Sequence, residues 1–252
     1  MSSDTRATSP GEGAPQLAAR CVGTVDRVIR ETPQAVTLVM DVPGWPGHKA
    51  GQHVEVRLTG EDGYRAQRSY SIANAPEEPG VAITVERLDD GEVSPYLAEE
   101  VRAGDQLELR GPIGGWFTWD ARAGGPLLLV AGGSGLVPLM AMLRHRRAAG
   151  SDVPVRLLLS AQRPEVVLYD RELAGLGDIV TRTYTRSAPA GWAGAARRVD
   201  RAMLEEVAWP AADEPRIYIC GPTGFVDAVA DILVDLGHVP ERVRTERFGA
   251  SG

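Results

Sequence analysis

Cysteine is scarce in this sequence, with Cys21 and Cys220 the only two among 252 residues. Two are too few for a disulfide framework or a thiolate zinc site. They are also too few for an iron–sulfur cluster, which takes four ligands. The four histidines, His48, His53, His145 and His238, form no close pair at metal-ligand spacing. Lysine is nearly missing: Lys49 stands alone among 27 basic residues, which 34 acidic ones outnumber to give a net charge of −7. A non-specific nucleic-acid binder needs a cationic face, so that class is disfavoured. No apolar run approaches the ~18 residues of a membrane span. The first fifteen residues are rich in Ser, Gly, Pro and Thr and contain no apolar stretch of a signal peptide. Residues 1–16 are expected to be a disordered tail, and the chain a cytoplasmic protein with neither nucleic acid nor membrane as partner and without a stored metal.

What is present is an ordinary globular mixture, 43% hydrophobic and 24% charged. The 29 glycines and 18 prolines predict many turns and short elements. From Ala18 to about Trp119 the runs CVGTVDRVIRE, AVTLVMDV, QHVEVRLTG, RSYSIAN, VAITVERL and DQLELRG are short and rich in Val, Ile, Leu and Thr. Six such strands predict an antiparallel barrel or sandwich. Ser94 can N-cap one helix beginning at Pro95, with Leu97 and Val101 on its apolar face. After Trp119 the rhythm changes to buried-type runs, beginning with PLLLVAGG, that alternate with helical stretches. That alternation predicts βαβ units and a parallel sheet. Helices are expected over Pro138–Ala149, Asp170–Leu176, Arg201–Val207 and Phe225–Leu236. In the last of these, Phe225, Val229, Ile232, Leu233 and Leu236 form the apolar face and Gly237 the stop. The expected boundary is DARAGG, giving a β domain over 17–120 and an α/β domain over 121–252.

Five motifs bear on chemistry. VAGGSGLVP places Gly132, Gly133 and Gly135 between a buried strand and a helix that begins near Pro138. Such a turn lets a pyrophosphate approach the backbone and face a helix N-terminus, or is simply a tight connection. The second strand ends in Ser160 with no carboxylate to hold a ribose hydroxyl. Arg163, Arg186, Arg197 and Arg198 lie near the strand ends and suit a 2′-phosphate, favouring NADPH over NADH. RSYSIAN puts Arg68 and Tyr70 on one strand face and Ser69 and Ser71 on the other. GEVSPYL offers Gly91 and Ser94 to a phosphate, and GPIGGWF offers aromatic surface. YICGPTGF ends a strand at Cys220, where ligands of open α/β sheets bind.

Taken in order, these motifs resemble the ferredoxin–NADP⁺ reductase superfamily over residues ~18–249. The resemblance implies an N-terminal antiparallel FAD-binding β-barrel followed by a Rossmann-like parallel-sheet nucleotide-binding domain. It implies that Tyr70 lies along the flavin ring, Ser71 near its N5 edge and Arg68 on the FAD phosphates, with Val85, Gly91, Val93 and Ser94 along the flavin tail. Gly133, Gly135 and Pro138 match the dinucleotide pyrophosphate loop. Cys220, Gly221 and Pro222 match the loop beside the nicotinamide, and Glu246 and Phe248 of TERFG would close over the flavin. Ala250 follows Gly249 where relatives often have Pro. The implied reaction passes hydride from NADPH or NADH to FAD, and electrons then go to a separate ferredoxin or oxygenase component. Alternatives are a free-flavin or quinone reductase with no protein partner, or an electron-transfer subunit active only in a complex. The run RHRR, Arg144 to Arg147, would either dock an acidic ferredoxin or complement a helix C-terminus.

Overall fold

The computed structural model describes residues 18–60 and 63–248. The expected tail over 1–16 and the motif residue Gly249 lie outside them. Strands β1 (Ala19–Thr32), β2 (Ala35–Asp41), β3 (His53–Thr59), β4 (Arg65–Ser71), β5 (Val81–Glu86) and β6 (Gln106–Ile113) form one antiparallel sheet. Its order is β4-β3-β6-β1-β2-β5, and an isolated bridge between Ile72 and Ile83 brings its two edges together as a barrel. The inward positions are the alternate apolar residues of these strands. Val25, Leu38, Val54, Val56, Ile83 and Leu109 are all buried in one cluster.

Strands β7 (Leu127–Gly132), β8 (Val155–Ala161), β9 (Val180–Tyr184), β10 (Arg216–Pro222) and β11 (Val243–Phe248) form a parallel sheet ordered β11-β10-β7-β8-β9. Helices α1 (Leu136–Ala148), α2 (Asp170–Ala174), α3 (Arg201–Val207) and α4 (Thr223–Asp235) cover it. Strand β7 is buried at every position because alternate residues serve opposite layers. Leu127, Leu129 and Ala131 pack with α1 and with Ala73, Ala82 and Trp119 of the barrel. Leu128 and Val130 pack with α3 and α4. Truncating such a leucine to alanine costs about 2–5 kcal/mol.

The helix ends follow from local chemistry. Asp200 caps α3, its Oδ1 accepting the Met203 N–H at 2.9 Å. At the end of α4, Gly237 takes φ +93°, and the N–H groups of Gly237 and His238 close onto Val234 and Leu233.

Three expectations are corrected. Ser94 does not cap a helix: its hydroxyl accepts the Leu88 N–H at 3.1 Å, and the helical turn that follows spans Tyr96–Glu100. A serine beside a turn has this local alternative. Val226 joins Val229 and Leu233 as the buried residues of α4, while Phe225, Ile232 and Leu236 pack against the same cluster only partly buried. Residues 243–248, expected only as a closing segment, form edge strand β11 in parallel register with β10.

Candidate functional site

The barrel contributes an edge. In β4, Tyr70 lies opposite buried Val54 and Arg68 opposite buried Val56, so both point to the core face. Because β4 has no strand paired along its outer side before the bridge at Ile72, that face opens to solvent there. Tyr70 is half-buried and its phenol is pushed up to about 12 by desolvation. Arg68 donates to Glu92 at 3.0 Å, with both side chains about half exposed. This ion pair brings RSYSIAN and GEVSPYL together from 24 residues apart in sequence. A Cβ added to Gly91 would sit 2.6 Å from Ser94 Oγ, so the turn closes tightly only as glycine. Val85 and Val93 are fully buried in the barrel core, so they support the wall behind this turn and line no open surface. Ser69 is exposed opposite Glu55, and Ser71 half-buried opposite His53, on the other strand face from Tyr70.

The parallel sheet contributes its carboxyl edge. Gly133 takes φ +56° with open space where a side chain would project. Gly135 is glycine for a different reason: a Cβ there would lie 2.1 Å from the Cys220 carbonyl oxygen. The turn Gly133–Gly135 therefore rests on the end of β10. It leads into α1, whose N-cap Gly135 has no side-chain hydrogen bond and whose first turn holds no acidic residue. Pro138 sits in that first turn. The ring of Phe225, packed at the edge of the α3–α4 cluster, also lies against Gly132 and Gly221; a Cβ at either would fall within 2.8 Å of it.

Cys220 is buried and pairs in register with Glu246, as Pro222 does with Phe248. Burial pushes the Cys220 thiol well up, and the neighbouring Glu246 charge adds to it. Burial raises the Glu246 carboxyl to about 7. Phe248 is 36% exposed at the sheet edge. The segment Gly111–Trp119 ties this corner to β4. Gln52 donates to the Gly114 carbonyl at 2.6 Å and accepts from the Ile72 N–H. At the other end, the Thr118 carbonyl accepts from Tyr218 and Arg244, each at 2.8 Å.

Between the two domains runs a cleft of about 360 Å³. Gly133, Ser134 and Arg163 line one wall, and Leu88, Asp89 and Asp90 line the other. Sequence reasoning placed Gly133 and Arg163 here and missed the barrel residues, which come from the turn just before Gly91. Among the described residues, the Arg163 side chain meets one loose ionic partner, Glu165 at 3.9 Å. Arg186 borders the cleft through its backbone, donating to the carbonyl of lining residue Gln162 at 3.0 Å. Arg197 is committed to Asp200. Ser160 is buried beside Gly132. Among the described residues no group of three or more His, Cys, Asp or Glu is placed to hold a metal, and no helix is long and apolar enough to cross a membrane.

The geometry accepts two phosphate-bearing cofactors. A helix N-terminus free of side-chain caps, entered by a glycine turn open on one side, suits a dinucleotide pyrophosphate. An arginine beside a tight Gly–Ser turn, next to a half-exposed tyrosine, suits a flavin dinucleotide.

Residues 37–118 match the family described as "Oxidoreductase FAD-binding domain", and residues 129–231 the "Oxidoreductase NAD-binding domain". The chain is 34% identical over 242 residues to the glycine betaine monooxygenase reductase subunit of Chromohalobacter salexigens, covering 92% of this chain and 64% of that protein. It is 33% identical over 258 residues to the flavohemoprotein of Bordetella pertussis, covering 90% of this chain and 60% of that protein. It thus spans somewhat under two thirds of the length of these curated relatives. Among solved structures it resembles the flavohem-like FAD/NAD-binding domain of nitric oxide dioxygenase from Vibrio cholerae. That match has a TM-score of 0.81 at 25% identity and covers 91% of this chain and 99% of that one. A ferredoxin–NADP⁺ reductase from Neisseria gonorrhoeae with bound FAD and NADP shares the fold, with a TM-score of 0.77 at 21% identity over 90% of this chain and 98% of that one.

Proposed function

The chain belongs to the ferredoxin–NADP⁺ reductase-like superfamily of FAD- and NAD-binding oxidoreductases, and from that premise we propose that it takes electrons from NADPH or NADH and delivers them to a separate oxygenase component or ferredoxin. The observation that carries this reading is the interdomain cleft, because it joins the glycine turn of α1 to the turn that precedes Gly91 and Ser94. When bound, FAD supplies the chemistry: it accepts a hydride from reduced nicotinamide and passes the electrons on singly. The protein's own part is to bind, orient and exclude water.

On this reading Arg68 and the Gly91–Ser94 turn hold the FAD phosphates, and Tyr70 offers its ring to the flavin. Gly133, Gly135 and the N-terminus of α1 hold the nicotinamide dinucleotide. Arg163, with Arg186 behind it, meets a 2′-phosphate, which favours NADPH. Cys220, Gly221 and Pro222 shape the nicotinamide end, and Phe248 borders it. Glu246 holds or releases a proton at its carboxyl near neutral pH, since burial has raised it to about 7. A cluster-bearing acceptor lies outside these 252 residues, which hold two cysteines against the four ligands of a cluster. A monooxygenase reductase subunit is among the relatives and supports an oxygenase component in that role.

The test is steady-state reduction of cytochrome c by NADPH and NADH, with and without an added ferredoxin or oxygenase component. Strong dependence on the added protein is expected. Rapid reduction of free flavin, unaffected by any redox protein, would replace this reading with a free-flavin reductase.

A further inference from the structure

The run Arg144–Arg147 stands out in the sequence as a surface charge cluster, and the structure uses it differently. The Arg144 side chain is 15% exposed. Its Nη1 donates to the Ala73 carbonyl at 2.7 Å, and its Nη2 to Glu172 at 2.6 Å. The guanidinium also lies 4.5 Å from the ring centroid of Tyr169. Ala73 is two residues beyond Ser71, at the end of the strand that carries Arg68 and Tyr70. Arg144 thus ties the helix that begins at the glycine turn directly to the strand of the barrel site.

Tyr169 completes the tie. It is buried and held at φ +54°, a left-handed conformation that a bulky residue adopts only when its surroundings enforce it. Its hydroxyl hydrogen-bonds to that of Thr84 on β5, which is bonded in turn to Thr37 on β2 at 2.7 Å. The next residue of the helix, His145, adds a second tie. Its Nε2 accepts the Ala121 N–H at 3.1 Å, so the proton sits on Nδ1, which donates to Glu77 at 2.7 Å. Two consecutive side chains of α1 therefore grip segment 73–77 of the barrel.

We propose that Arg144, anchored by Glu172 and Tyr169, is a positioning residue that locks α1 onto the end of the Arg68–Ala73 segment and thereby sets how the nicotinamide and flavin sites face one another. The proposal rests on the function proposed above for what those two sites hold. Arginine is required because one planar fork must meet a carbonyl, a carboxylate and an aromatic face together. A displacement of about 1 Å at reacting groups can cost on the order of a hundredfold in rate.

Three variants, Arg144→Gln, Arg144→Lys and Tyr169→Phe, test this. In flavin-loaded protein, Arg144→Gln is expected to lower the limiting rate of flavin reduction at saturating NAD(P)H at least tenfold. Flavin content and the dissociation constant for NAD(P)H should stay within twofold of wild type, and Arg144→Lys should recover only part of the rate. Tyr169→Phe, which removes one hydroxyl, is expected to lower the rate about threefold and carries the test if Arg144→Gln does not fold. In flavin-free protein, amide hydrogen exchange over 72–78 should accelerate at least tenfold in Arg144→Gln while β8 keeps its protection. Wild-type limiting rates in the folded variants, with only a lower Tm, would overturn the proposal. If wild-type protein is itself not reduced by NAD(P)H, the functional reading has failed. The hydrogen-exchange arm then still decides whether Arg144 is the clamp.

Discussion

Substituting Gly135 by alanine puts the interlock between the glycine turn and β10 under direct load. The added Cβ would lie 2.1 Å from the carbonyl oxygen of Cys220 and 2.4 Å from its carbonyl carbon. Both atoms are backbone, fixed by pairing of β10 with β7 and β11, so no side chain can rotate away. An ordinary carbon–oxygen contact is about 3.3 Å, so the turn must retreat by roughly 1.2 Å. Overpacking of this kind costs about 1–3 kcal/mol, which for a protein of this size lowers Tm by roughly 2–12 °C. The functional loss should be larger in proportion, because the same shift moves the N-terminus of α1 and, on the proposed reading, the nicotinamide dinucleotide. A displacement of that size corresponds to about a hundredfold in kcat/KM for NAD(P)H. Gly224→Ala is the control, since it adds a methyl group near the start of α4 with nothing within 4 Å. It should be neutral or stabilising by up to ~1 kcal/mol. Thermal denaturation and steady-state kinetics of both variants provide the assay. Wild-type Tm and kcat/KM in Gly135→Ala would refute the argument that close approach to Cys220 dictates this glycine.

Tyr70→Ala should weaken FAD retention, since stacking of a base on an aromatic ring is worth about 1–3 kcal/mol; equilibrium dialysis of flavin measures it, and unchanged retention makes Tyr70 a packing residue only. Arg163→Ala should lower kcat/KM for NADPH about ten- to a hundredfold, from the ~1.5–3 kcal/mol of a charge-assisted contact, and leave NADH nearly unaffected. Arg186→Ala should act in the same direction but less, because only its backbone borders the cleft; equal losses with both donors would make these arginines structural. Glu246 predicts a pH dependence. Its carboxyl is raised by burial from 4.5 to about 7, so the folded state binds the proton more tightly than the unfolded chain. Its contribution to stability is therefore fully present below pH ~4.5, declines as pH rises towards 7, and is lost above it. At ~1.4 kcal/mol per tenfold change in proton affinity, the loss reaches about 3 kcal/mol. Glu246→Gln should remove that decline and raise Tm above pH 7 relative to wild type; parallel Tm–pH curves would show that Glu246 is not the titrating group.

Much of the fold was legible because it rests on short-range pattern. Strands β3 and β6 alternate, β7 is a continuous apolar run, and Gly237 marks the end of α4. The residues that escaped are those whose roles depend on distant partners. Strand β11 reads VRTERF, too charged to announce itself, and exists because the exposed edge of β10 offers it a ladder. Phe225 fits a helical apolar stripe by spacing, yet two glycines from other elements leave the room that draws its ring to the sheet edge. Nothing in the run Arg144–Arg147 reveals that Ala73 and Glu172 await the first of them. Within the candidate site, the glycine turn and Arg163 could be located from sequence because each follows the end of a buried strand. Leu88, Asp89 and Asp90 could not, since a cleft wall made by a turn of the other domain has no local signature.

The central claim, that this chain is an NAD(P)H-dependent FAD oxidoreductase, is tested most directly by the visible absorbance spectrum of the purified protein during anaerobic titration with NADPH and then NADH. The account predicts a yellow protein whose flavin, extracted and chromatographed, runs as FAD, and whose flavin absorbance bleaches as nicotinamide is added, at lower concentrations of NADPH than of NADH. A protein that retains no flavin after reconstitution with FAD, or whose bound flavin stays oxidised with both donors, would contradict it.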